Sequence, residues 1–157
     1  MDKEIRQFVE EGVKRYKEAS RLMVLFGKTI ESELQGILSA RKDWGKFKPD
    51  TTKKKIISTK YWSEYPYLNA KIFGKIGQKQ CTILIGINWY QSEIDYPHYE
   101  IRLEKGADEE LLNKFTEYNK NGIFEVRENS IILCPDPEDF NLHRDFNKLI
   151  DEFIKII

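Results

Sequence analysis

The apolar period of this chain changes after its first third, from three-and-four spacing to strict alternation, and that change decides the fold class. In the first forty residues, Ile5, Phe8, Val9, Val13, Tyr16, Ala19, Met23 and Phe26 fall on one helical face, and Ile30, Leu34, Ile37 and Leu38 continue it. Gly27 followed by Thr29 has the form of a helix-ending glycine and a new N-cap, so two helices are predicted, about 3–26 and 30–42. A single long helix is the competing expectation, because the stripe hardly changes phase across the glycine. The helical signal stops in "DWGKFKPD", at Gly45 and Pro49.

Residues 46–60 read as a polar, lysine-rich connection leading into a strand, and beyond it the period is two. Strands are predicted near 55–61, 67–75 and 80–89, the last two joined by a turn centred on Gly77. Cys81, Ile83, Ile85, Ile87 and Trp89 point one way and Thr82, Leu84, Gly86 and Asn88 the other. Tyr99, Ile101 and Leu103 alternate with His98, Glu100, Arg102 and Glu104, a half-buried strand whose charged side is expected to face water. A third helix follows in "GADEELLNKFTEYNKNG" with Asp108 as N-cap, then two short strands in "IFEVRENSIILCP". From about Asn141 a final helix puts Phe146, Leu149, Ile150, Phe153, Ile154 and Ile157 on one stripe.

This order predicts one α+β domain over residues 1–157, long enough for a single core. A helical segment 1–43 precedes a sheet with C-terminal helices over 55–157. The sheet is expected to be antiparallel, with a mixed sheet as the variant, to have about 4–6 strands, and to carry its helices on one face.

Several function classes lose support. No apolar run reaches the roughly 18–20 residues of a membrane span, and the charged N-terminus lacks the pattern of a secretory signal. A cytoplasmic protein without a membrane partner is expected, and the Ile/Lys/Asn-rich composition points to a bacterial or phage origin. Cys81 and Cys134 form no Cys-x-x-Cys pair and read as buried free thiols. Gly74, Gly77 and Gly86 do not have the spacing of a phosphate-binding loop. His98 and His143 share no ligand spacing, so neither a metal nor a cofactor is expected; His143 reads as a first-turn helix residue on the surface.

Zero net charge hides a division along the chain. Residues 41–79 carry 11 basic and 3 acidic side chains, and 91–157 carry 8 basic and 16 acidic ones. The result is a dipolar surface, unless the fold lays the two segments side by side.

Three readings compete. The first is a non-catalytic protein-interaction module, because Trp and Tyr are enriched at interfaces. Its surface would be built from Trp62, Tyr65, Tyr67, Trp89, Tyr90 and Tyr96, with Tyr99 at its border, and its protein partner is unknown. The second is nucleic-acid binding through Lys46, Lys48, Lys53, Lys54, Lys55 and Lys60 interleaved with Trp44, Phe47, Tyr61, Trp62, Tyr65 and Tyr67, lysines neutralising phosphates and rings stacking on bases. The third is a metal-dependent or degenerate nuclease of the PD-(D/E)XK kind, with Asp95, Glu100 and Arg102 in the catalytic positions. There an arginine stands where a lysine is wanted, and it cannot readily give up its proton. The apolar stripes at both ends of the chain would suit a homodimer and suit core packing equally.

Overall fold

Residues 2–53, 56–58, 67–88, 97–104, 108–118, 124–127 and 129–157 are described by the computed structural model. In chain order they form α1 (Lys3–Gln7), one π-helical turn (Phe8–Gly12), α2 (Val13–Ala40), β1 (Phe47–Pro49), β2 (Ile56–Ser58), β3 (Tyr67–Ile76) and β4 (Lys79–Asn88). Then follow β5 (His98–Leu103), α3 (Glu109–Glu117), β6 (Phe124–Arg127), β7 (Ser130–Leu133), a 3₁₀ turn (Pro137–Asp139) and α4 (Leu142–Ile156).

The spine is the β3–β4 hairpin, ten residues a side, closed by Gly77 and Gln78. Gly77 has φ +61°, a conformation that only glycine adopts without strain, so the predicted turn forms where its residue type demands. The sheet is wholly antiparallel in the order β1-β3-β4-β5-β7-β6, with β2 also paired to β3. One face carries Leu68, Ala70, Ile72, Ile83, Ile85, Ile87, Tyr99, Ile101, Leu103, Ile131 and Leu133. These form one core with Ile30, Leu34, Ile37 and Leu38 of α2 and Phe146, Leu149, Ile150 and Phe153 of α4. The α+β architecture read from the alternation is the one observed.

Each helix start has its physical reason. The Asp108 carboxylate accepts from the Glu110 N–H at 3.1 Å, and the Asn141 side chain accepts from the Arg144 N–H at 2.9 Å. Asp145, buried in the first turn of α4, accepts from the Asn141 N–H at 3.1 Å and from Arg144 Nε at 2.8 Å. At the far end of α2, Arg41 donates to the Asp43 carbonyl at 2.8 Å, to Asn147 and to Asp151, which ties the end of α2 to α4.

Four expectations need correction. The N-terminal segment is not two helices: helix runs without a break from Lys3 to Ala40, through the π turn. Thr29 does not cap a new helix. Its hydroxyl donates to the Leu25 carbonyl at 3.0 Å, the back-bond of a residue inside a helix. A glycine costs a helix about 1 kcal/mol, and the burial of Gly27, Ile30 and Leu34 outweighs that. Next, the polar connection contains a strand, β1, because Phe47 is driven into the core against Trp44 and Phe153. Trp44 and Phe47 are therefore core residues and not exposed rings for stacking on bases. The charged side of β5 is wet only at its far end: His98 is 0% exposed and Glu100 5%, and Arg102 and Glu104 are half-buried. Finally, only one of the two thiols is fully buried, Cys81; Cys134 is partly exposed.

Candidate functional site

On the second face of the sheet, β5 places His98, Glu100 and Arg102 in a row. Asn88 lies opposite His98, Gly86 and Ile132 flank Glu100, and Leu84 and Ser130 flank Arg102. Gly86 is required here: a Cβ at that position would come within 1.9 Å of the Leu68 carbonyl oxygen, so β3 passes too close for any side chain. The Arg102 guanidinium donates to the Tyr67 hydroxyl and also lies 5.3 Å from the centre of its ring. Burial raises the Tyr67 pKa, against the pull of the Arg102 charge.

This cluster is incompletely satisfied. Neither nitrogen of His98 has a hydrogen-bond partner, and neither does Glu100 Oε2. Burial first, and the Arg127 charge second, push the His98 pKa down to about 4, so the ring is neutral at ordinary pH. The Tyr99 hydroxyl is a third orphan on the opposite, core side. Burial, reinforced by the Asp145 charge, holds it protonated. No group of three or more metal-ligating side chains is present among the described residues.

A different feature dominates the outside of the molecule. From Asp2 to Phe26 the N-terminal helix has no buried residue, and burial starts at Gly27. At 1.5 Å per residue this is an arm of roughly 36 Å. It displays Ile5, Phe8, Val9, Tyr16, Leu22, Val24 and Leu25, each about half exposed or more, with Tyr16 at 72%. Among the described residues, Phe26 meets the body at this level, its ring 5.8 Å from Phe140; Phe140 in turn stacks on Tyr99. The π turn adds one residue to the helical repeat. Val13 and Tyr16 keep the helical spacing that leads on to Ile30, Leu34 and Ile37. Outside the body, the arm thus prolongs the stripe that is core inside it.

A concavity of about 710 Å³ opens at the hairpin end of the sheet, where Lys46, Lys48, Lys79 and Lys114 gather. Lys46 donates to the Ile157 main-chain oxygen at 3.1 Å and Lys114 to the same oxygen at 3.4 Å, and Lys48 donates to the Gly45 carbonyl oxygen at 3.3 Å. Lys79 is taken by Asp108 at 2.8 Å and Glu110 at 3.2 Å, which raises its pKa. Lys53 lies 4.9 Å from the centre of the Phe73 ring.

The fold does lay the basic segment against the acidic one. Arg41 pairs with Asp151, Lys71 with Glu104, and Lys79 with Asp108 and Glu110. Among the residues singled out from sequence, Tyr67, Glu100 and Arg102 come together on this face, and Tyr99 lies on the core side against Phe140 and Phe146. Trp62, Tyr65, Trp89, Tyr90, Tyr96, Asp95, Lys54, Lys55 and Lys60 lie outside the described residues, as do Tyr61 and Glu93. His143 sits on the surface at the start of α4 as expected, 3.8 Å from Glu33. Sequence reasoning missed the arm as a surface. The signal was present in "LMVLF", residues 22–26, which is apolar all round a helix and needs cover on more than one side.

The geometry defines a helix-backed antiparallel α+β protein with a projecting helical arm. No known protein family, curated protein or solved structure matches the chain.

Proposed function

We propose that this chain is a non-catalytic protein-interaction module that docks through its N-terminal arm. One observation carries the reading: seven large apolar side chains stand exposed along a single continuous helix. Apolar patches of this extent mark interaction sites. The aromatic loop surface expected from sequence is represented among the described residues by Tyr67, which is half-buried and engaged by Arg102. The weight of the proposal therefore moves from those loops to the arm. A photo-crosslinking side chain placed at Tyr16 or Leu25 of the intact protein tests it, with Lys148 on α4 as control. Discrete adducts from both arm positions and none from Lys148 are expected. Equal labelling at all three positions, or none, would defeat the reading.

A second reading keeps the lysine concavity as a nucleic-acid surface, supported by the gathering of Lys46, Lys48 and Lys114 there, with Lys48 donating to the Gly45 carbonyl oxygen. Its signature is binding of labelled DNA or RNA that weakens steeply with added salt. The nuclease reading ranks behind both, because Arg102 is committed to Tyr67. Cleavage of those same oligonucleotides with magnesium present, abolished by Glu100→Gln, would be needed to restore it.

A further inference from the structure

We infer that the lysine concavity at the hairpin end of the sheet is a binding site for a small amphiphilic anion, a single oxyanion head on an apolar body. The site is independent of the docking role of the arm, and its occupant differs from the nucleic acid of the second reading above.

Shape, lining and charge each support it. Two glycines fix the walls. Gly45 has φ +59°, and a Cβ on it would come within 2.6 Å of Ile154 Cγ2, so the chain entering β1 is pressed against α4; Gly77 makes the β3–β4 turn. The resulting space of about 710 Å³ lies within the roughly 300–1,000 Å³ of small-molecule sites. Its floor is apolar, made by the buried side chains of Cys81, Leu111 and Ile157 with half-buried Ile76. Burial raises the Cys81 pKa to about 11, so the thiol adds no charge to this floor. The rim is charged unevenly. At the start of α3, Asp108 and Glu110 hold Lys79. One turn further on, where α3 meets the ends of α4 and β1, Lys46, Lys48 and Lys114 bond main-chain oxygens and no Asp or Glu side chain among the described residues. Lys46 and Lys114 share the Ile157 oxygen at 3.1 and 3.4 Å, which sets their nitrogens within 6.5 Å of each other. Like charges this near repel, and an anion beside them relieves the repulsion. Each ammonium has three N–H groups and spends one here, so an oxyanion can be held without displacing that oxygen. A nucleic-acid strand asks for a basic groove that tracks its backbone. Here the acids at the start of α3 interrupt any such track, whereas a single head at the lysines leaves an apolar tail to cover the floor.

Decanoate, kept below its micelle concentration and titrated into the isotope-labelled full chain, tests this through amide chemical shifts. Saturable shifts at Gly77, Leu111 and Lys114 are expected. Decyl phosphate, run in parallel, tells a phosphate head from a carboxylate one, and saturable binding of either supports the site. Inorganic phosphate, the head alone, and decyltrimethylammonium, a like tail with the opposite charge, should each bind at least tenfold more weakly. Lys48→Glu, at an exposed position, should weaken the anion at least tenfold while circular dichroism and Tm stay those of the parent, and Lys48→Arg should keep the affinity. Equal affinity for the cation, no shift at the concavity up to the micelle limit, or shifts confined to the arm between Ile5 and Leu25 would overturn the inference. A single-stranded oligonucleotide that saturates the same amides at lower concentration than either amphiphile would give the concavity to nucleic acid and overturn it too.

Discussion

Single residues show where this fold is strained electrostatically. His98 has its pKa held at about 4 by burial, below its ordinary value. Between pH 6.5 and pH 4 the unfolded chain takes up a proton that the folded ring refuses, so stability falls as pH is lowered through that window, by about 3 kcal/mol at most. Chemical denaturation at pH 7.5, 5.5 and 4.5 measures the slope. His98→Phe should flatten it and cost little at pH 7.5, because the variant also removes two unpaired buried nitrogens. Asp145 behaves in the opposite way. It is buried and paired with both Arg144 and the Asn141 N–H, so Asp145→Ala should lower stability by about 3 kcal/mol, read as a drop in the urea midpoint with unchanged slope. Gly86→Ala forces a Cβ onto the Leu68 carbonyl and should cost at least about 2 kcal/mol in the same assay. None of these three roles is visible in the sequence. Each depends on which neighbour faces the residue across the sheet or at the helix start, and period-two alternation specifies a face without saying what closes it.

At the scale of elements, the sequence was informative wherever local chemistry acts alone. Alternation placed β3, β4 and β5 to within a residue or two, Gly77 placed the turn, and Asp108 and Asn141 placed two helix starts. It failed where tertiary burial overrode a local signal. Gly27 and Thr29 look like a helix boundary, yet burial carries the helix through them, and β1 exists because Phe47 finds a core site beside Trp44. The helix itself should divide into two parts in hydrogen exchange. Amides from Ile30 to Ala40, backed by the core, should exchange at the rate of global unfolding. Those from Lys3 to Arg21, where no residue is buried, should exchange orders of magnitude faster. Equal protection along the whole helix would contradict this.

For the whole molecule, the charge division along the chain does not become a division across the surface. Arg41, Lys71 and Lys79 are each paired with an acid from the second half, so the dipole suggested by a net +8 segment and a net −8 segment is partly cancelled by the fold. Nucleic-acid affinity should accordingly be modest, and a shallow salt dependence in fluorescence anisotropy is the expected result. Sequence could count the charges but could not tell which strands would be neighbours.

The outer strands have a bearing on how the protein survives at high concentration. β1 and β2 have three residues each and β6 has four. Pro49 offers no N–H to a newcomer, and Glu125 and Arg127, paired at 2.9 Å, put charge along β6. A fibril grows by adding strands to a long, flat template, and among the described residues this sheet presents none at its edges. Crowding or overexpression should therefore leave the protein as discrete soluble particles and not as amyloid.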